Sequence, residues 1–335
     1  MKNWLPQHLP YTKAVLLTAR TLTLSPPAVL ALGFAALIIL GALLLLLPVA
    51  TTAPLSLLQA LFTATSAVTV TGLVVVDTGS HFTPFGQAII AMLIQAGGLG
   101  FMTFAVVAVV SLGAKIGLAQ QKIAQEAMNQ TSLAQVAQTA KAVLLYSLVI
   151  ELIGVLLLTL VWQQELGVAT ALYHSVFYTI SAFNNAGFAL NSASLMPYAS
   201  SVPVNMIITS LFIVGGIGFT VLIDLKKQRR WQLLSVNTRI ILLATLVINI
   251  IAFMLIWLLE ANNPATLANL SVKDQVLAAW FQAVTPRTAG FNTLDYSQMT
   301  DASNVLTLLL MFIGGGSLST ASGIKLGTFV VLIMA

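Results

Sequence analysis

Three short stretches of the sequence share a pattern with chemical consequences: Thr69-Val70-Thr71-Gly72-Leu73, Asn184-Asn185-Ala186-Gly187-Phe188 and Arg287-Thr288-Ala289-Gly290-Phe291. Each sets one Gly among small or polar neighbours and ends on a large apolar residue. Replacing the water around a monovalent cation takes several carbonyl oxygens turned inward from extended backbone. Gly adopts the backbone angles this demands and leaves no side chain in the path. The surroundings repeat as well. Ten residues before the three glycines stand Phe62, Phe177 and Trp280, and some 24 to 29 residues after them come the clusters Gly97-Gly98-Leu99-Gly100, Gly215-Gly216-Ile217-Gly218 and Gly314-Gly315-Gly316. Other chemistries find no support. The chain has no Cys, hence no disulfide, iron–sulfur cluster or thiol nucleophile. It has no zincin pair, Gly-x-Ser-x-Gly elbow or P-loop, and His81 and His174 lack metal-ligand spacing, so an enzyme is not expected.

The elements that must position these loops are membrane elements. Of 335 residues 58% are apolar and only 7% charged, against about 25% charged in ordinary soluble proteins. A formal charge of +5 from so few charges cannot coat a nucleic-acid-binding face. Residues 28–47, 142–162 and 240–259 are each long enough to cross a hydrocarbon core of about 30 Å as a helix. The stretches 86–112, 202–223 and 304–335 are as long but interrupted by the glycine clusters, which imply close packing or a break. Between each plain span and its glycine-marked partner lies a segment too short to span: 54–67, 169–183 and 271–284, read as re-entrant half-helices. The expected fold is an all-α membrane protein with parallel repeats of span, re-entrant pore helix, filter loop and span around a central pore. The boundaries are a cytoplasmic N-terminal segment 1–27, pore repeats 28–112, 142–225 and 240–335, a cytoplasmic linker 113–141 and a basic cytoplasmic loop 226–239.

Charge orients the chain. With a cytoplasmic N-terminus, 11 of the 14 basic residues fall inside, as the positive-inside rule requires. The outer mouth is then net acidic, which either concentrates cations or is simply what sorting leaves behind. Half-helices entering from outside point their partially negative C-terminal ends toward the membrane centre, where a cation is favoured.

These loops, at these spacings, resemble the Trk/Ktr/HKT superfamily of potassium transporters, whose subunits repeat a span, pore helix, span unit four times with one filter Gly in each. One plain span before Gly72 makes the chain similar to KtrB-type membrane subunits. The resemblance implies a filter of Val70, Thr71 and Gly72, Asn185, Ala186 and Gly187, and Thr288, Ala289 and Gly290, which would bind potassium. A fourth unit is not seen and is inferred to lie beyond Ala335. The resemblance further implies that the stretch 314–325 is an intramembrane gating loop beneath the filter, with Gly314, Gly315, Gly316, Ser317, Ser319, Thr320, Ser322, Gly323 and Lys325 taking part. Leu318 and Ser322 stand where the family has Pro and Gly. Ten of its twelve residues are small or polar, unsuited to a lipid-facing helix. By the same resemblance the subunit forms a homodimer in the bacterial inner membrane on a cytosolic nucleotide-binding regulatory ring of the KtrA type. Adenine nucleotide then acts only through that ring, and sodium is the candidate coupling ion.

Several single residues ask for placement. Lys325 is a basic residue inside a span that either acts there or snorkels from the inner end. Glu151, mid-span, is read first as a structural hydrogen-bonding group, the rival being a proton site in a proton-coupled secondary cation transporter. Arg287 is expected to pair with an acid such as Asp295 or Asp301 behind the filter. Residues 121–141 read as a linker or a docking surface for a cytosolic partner, and 226–230 as an anchor to lipid headgroups, with a partner-binding role as the alternative.

Overall fold

The structure, a computed structural model, describes residues 26–100 and 133–334; the N-terminal segment 1–25 and most of the linker and the end of the first repeat lie outside the described residues. Every regular element described is helical: α1 (Pro26–Leu45), α2 (Leu57–Val68), α3 (Thr78–His81), α4 (Pro84–Gly98), α5 (Leu133–Leu166), α6 (Val168–Phe183), α7 (Val202–Ile217), α8 (Phe219–Lys227), α9 (Val236–Glu260), α10 (Val272–Val284), α11 (Asp301–Phe312) and α12 (Leu326–Met334).

Within α5 and α9, the stretches Ala140–Leu166 and Val236–Glu260 are long and apolar enough to cross a membrane. Their side chains sort in the opposite sense to a soluble helix. On α5, Leu145, Leu148, Leu152, Leu156 and Leu160 are exposed at helical spacing, while the buried stripe runs Val143, Ser147, Glu151, Leu158 and Trp162. On α9 the buried stripe is Thr238, Ile241, Thr245, Asn249, Ala252, Ile256 and Glu260. Apolar groups outward and polar groups inward is the arrangement that lipid imposes, since lipid offers no hydrogen bonds.

The short helices start where their caps say they should. Ser56 accepts from the Gln59 N–H at 3.3 Å and the Gln59 Oε1 accepts from the Ser56 N–H at 2.9 Å, a reciprocal cap on α2. Ser271 caps α10 through the Asp274 N–H at 3.2 Å. At 12, 16 and 13 residues, α2, α6 and α10 reach only about 18 to 24 Å at 1.5 Å per residue. Each ends at one of the Gly loops. The second glycine-marked stretch is not a straight helix: α7 and α8 meet at 91° across Gly218, whose φ of +97° is open to Gly and strained for other residues. The third breaks over Ile313–Lys325 between α11 and α12, as expected from its composition.

The glycine clusters also serve close approach. A Cβ on Gly97 would strike the carbonyl of Val68, and one on Gly215 the carbonyl of Phe183. Those carbonyls lie four residues before Gly72 and Gly187, so α4 is pressed onto the end of α2 and α7 onto the end of α6. At the C-terminal end of α9, buried Glu260 gathers the loops. Its carboxylate accepts from Asn263 Nδ2 (2.8 Å), Thr266 Oγ1 (2.6 Å), and the N–H and hydroxyl of Thr300 (both 2.8 Å).

Candidate functional site

The three Gly loops, separated by 115 and 103 residues in sequence, meet in space. A Cβ built on Gly72 would collide with the Ala186 carbonyl; one on Gly187 would lie 2.8 Å from Gly290 Cα and 3.0 Å from the Ala289 oxygen; one on Gly290 would lie 2.9 Å from Gly187 Cα. The second loop therefore sits between the other two.

Their backbones share an unusual form. Gly72, Gly187 and Gly290 have φ of +81°, +72° and +79°, and the residues two before them, Val70, Asn185 and Thr288, have φ of +56°, +58° and +77°. For β-branched Val70 and Thr288 this is costly, of order 1–3 kcal/mol each, and such strain survives only where the surroundings enforce it. The intervening Thr71, Ala186 and Ala289 are not left-handed. Alternation of handedness turns successive N–H groups to one side and carbonyls to the other. The N–H side is tied down: Thr71 donates to Ser66 O (2.8 Å), Ala186 to Ser181 O (2.8 Å) and Ala289 to Thr285 O (2.9 Å). The carbonyl side is free. Among the described residues, no carbonyl of the nine loop residues 70–72, 185–187 and 288–290 accepts a hydrogen bond. Two of the loops are closed just beyond by hydroxyls on their own pore helices, Ser181 Oγ to Phe188 O (2.7 Å) and Thr285 Oγ1 to Phe291 O (2.6 Å). Unpartnered carbonyls beside three helix C-termini have the chemistry that suits a cation without a metal-type cluster of acids or histidines, and among the described residues no such cluster occurs.

The residue three before each Gly braces its loop, with increasing reach. Thr69 stays local, donating to Thr65 O at 2.8 Å and bonding Thr71 Oγ1 at 2.6 Å. Asn184, wholly buried, donates to Gln95 Oε1 (2.7 Å) and Glu151 Oε1 (3.4 Å), and Gln95 Nε2 donates to Glu151 Oε2 (2.9 Å). Glu151 is thus the mid-span acceptor that holds the second loop in place. Replacing it by Gln is expected to keep accumulation and uptake near wild type. Leu, which strands both amides, should lower abundance by an amount equivalent to about 1–3 kcal/mol. Uptake at matched abundance, with and without a proton gradient, checks this; loss of gradient-dependent uptake in the Gln variant would instead mark a proton site.

Arg287 corrects an expectation. It meets neither Asp295 nor Asp301, but donates through Nη1 to Asn249 Oδ1 (2.9 Å) and through Nη2 to Gly314 O (3.2 Å). The acids are engaged at helix starts. Asp295 accepts from the N–H and hydroxyl of Ser297 at 2.9 and 2.8 Å, bonds that hold its carboxyl below the usual range, and Asp301 opens α11. Arg287 lies beside the buried face of α9, where neutral oxygens receive it. Sequence reasoning missed Gln95 and Asn249 as braces, although an amide inside an otherwise apolar span was the available signal.

The stretch 314–325 folds as a loop with a narrow neck: Gly314 N–H donates to Ile324 O (3.0 Å) and Ile324 N–H to Phe312 O (3.1 Å). Its body enters the break between α7 and α8. Gly316 and Thr320 N–H groups bond Gly216 O (2.8 Å) and Gly215 O (3.3 Å), and Phe219 N–H bonds Leu318 O (2.9 Å). Thr320 touches the second Gly loop, accepting from Asn185 Nδ2 at 2.7 Å and donating to Phe183 O at 3.1 Å. Lys325 Nζ caps the Ala321 carbonyl at 2.7 Å. Ser319 Oγ makes only a long bond to Ala321 O (3.5 Å), and Ser317 contributes its carbonyl to Thr220 at 3.4 Å. Gly315 packs beside Gly216, and a Cβ on Gly323 would lie 2.9 Å from Gly314 N, while Ser322 is exposed with its carbonyl against Gly314.

A family profile described as "TrkH: Cation transport protein" matches residues 30–335. Among curated proteins, the chain is 54% identical over 309 residues to the Ktr system potassium uptake protein B of Bacillus subtilis (strain 168), covering 92% of this chain and 69% of that one. It is 43% identical over 311 residues to the protein of the same name in Vibrio alginolyticus (92% and 68% covered). It is 37% identical to the potassium/sodium uptake protein NtpJ of Enterococcus hirae, covering 93% and 69%. The crystal structure of the potassium transporter TrkH from Vibrio parahaemolyticus superposes with a TM-score of 0.70 at 23% identity, over 96% of this chain and 62% of that chain's length, a likeness of fold.

Proposed function

Because the chain belongs to the TrkH cation transport family, we propose that it is the potassium-translocating pore subunit of a Ktr-type uptake system, an integral, multi-pass bacterial membrane protein and not an enzyme. One observation carries the assignment of the path. Among the described residues, the nine carbonyls on three converging loops accept no hydrogen bond, while one N–H of each loop is tied to the end of the preceding helix. A cation shedding water finds replacement oxygens there. In this reading the pore repeats are 28–112, 142–225 and 240–335. The N-terminus is cytoplasmic, and the first and third loops flank the second, which both of them abut.

The loop at 314–325 is the gate in this reading. Its contact with Asn185 through Thr320 supports this, and its glycines and serines give conformations close in energy. The subunit works as a homodimer on a KtrA-like cytosolic ring that binds adenine nucleotide in trans, for the chain carries no nucleotide motif of its own. The Lys226–Arg230 run anchors to lipid headgroups.

Proteoliposomes carrying the intact transporter test the function directly. Potassium is expected to enter, in competition with rubidium and ahead of sodium, with a rate set by the nucleotide on the added ring; sodium dependence of that rate would establish coupling. Equal entry of potassium, sodium and choline would overturn selection at the loops, and stoichiometric nucleotide binding to the purified subunit would overturn regulation in trans.

A further inference from the structure

The brace at the third loop differs in kind from those at the other two. Thr69 and Asn184 bond within their own loop or to the sides of spans, whereas Arg287 bonds a span through Asn249 and, with its other terminal nitrogen, the carbonyl of Gly314. Gly314 is the neck of the 314–325 loop, its N–H already given to Ile324. One guanidinium therefore bridges the third filter loop, the buried face of α9 and the root of the intramembrane loop. A planar fork with fixed donor directions suits this, where an ammonium would act as a point charge. A cavity of about 20 Å³ beside it is lined by Asn249, Thr245, Gly216 and Gly315 together with apolar side chains of α7 and α10, and the two hydrogen bonds fix the direction of the fork.

We propose that Arg287 is a positioning residue that tethers the intramembrane loop to the third filter loop, so that the loop leaves the position described above only when the bond to the Gly314 carbonyl breaks. The inference rests on reading 314–325 as the gate. A hydrogen bond from a charged donor is worth about 1.5–3 kcal/mol, and at 1.4 kcal/mol per decade its loss favours the displaced loop by about tenfold or more.

The test uses the intact transporter in cells deprived of its cytosolic regulator, with potassium uptake measured at matched membrane abundance. Arg287→Gln is expected to raise regulator-free uptake about tenfold. In a background lacking Gly315–Ser322 the same substitution should add nothing, because the tether has lost its load. If the deletion alone raises uptake and Arg287→Gln does not, or if the substitution acts equally in both backgrounds, the tether is overturned and the gate stands. If the deletion raises nothing, the gate reading falls and the tether with it. Should Arg287→Gln fail to accumulate, Arg287→Lys decides: one ammonium serves Asn249 and Gly314 poorly together, so an intermediate rise supports the tether, and wild-type uptake overturns it.

Discussion

Gly187→Ser is expected to lower the preference for potassium over sodium by about tenfold or more while leaving membrane abundance within twofold of wild type. Two effects add at this position. A non-Gly residue at φ +72° costs about 1–2 kcal/mol, and the new Cβ would lie 2.8 Å from Gly290 Cα and 3.0 Å from the Ala289 oxygen, which are backbone atoms that cannot rotate away. The third loop must shift, and with it the carbonyls that would replace the cation's water. Gly72→Ser, whose Cβ would collide with the Ala186 carbonyl, and Gly290→Ser, whose Cβ would lie 2.9 Å from Gly187 Cα, should act in the same direction. Competition between potassium and sodium in proteoliposomes reads the change. Unchanged preference in all three variants would remove the filter from these loops.

Deleting Gly315–Ser322 is expected to raise potassium uptake several-fold and to weaken its dependence on the cytosolic regulator. The deletion removes the Thr320 contacts to Asn185 and Phe183 and the pairing with Gly215, Gly216 and Phe219, the bonds that hold the loop in the break between α7 and α8. The neck closes on itself through Gly314 and Ile324, so a shortened loop has a backbone path that does not unravel α11 or α12. A structural kink, in contrast, would yield a misfolded or inactive protein on deletion. Uptake at matched abundance separates the two: a well-folded deletion variant with wild-type flux and full regulator dependence counts against a gate.

Much of this was written in the sequence because a membrane leaves the chain few choices. Spans must be long, apolar and helical, and segments too short to span must turn back, so the half-helices read at 54–67, 169–183 and 271–284 correspond to helices at 57–68, 168–183 and 272–284. The Gly loops stood out because their flexibility and lack of side chains recur at matched spacing. The serine- and glycine-rich stretch at 314–325 declared itself by what it cannot be, a helix facing lipid.

What the sequence did not contain is which side chains hold the loops in place. Arg287 suggested an acid partner because charge is the visible property, yet its partners are the amide of Asn249 and the carbonyl of Gly314, and a backbone oxygen has no letter in a sequence. Glu151 suggested a proton site or an isolated hydrogen bond, and only the packing of α4 against α5 and α6 shows Gln95 and Asn184 converging on it. The left-handed backbone at Val70 and Thr288 was equally hidden, since β-branched residues disfavour it, and Asn185 alone among the three is of a type that visits it readily. Composition and spacing determined that the chain carries long apolar helices and three loops of one kind between them. Tertiary structure decided that they meet and that amides and one guanidinium brace them, because hydrogen-bond partners are chosen by proximity across more than a hundred residues, a relation that local residue preference does not encode.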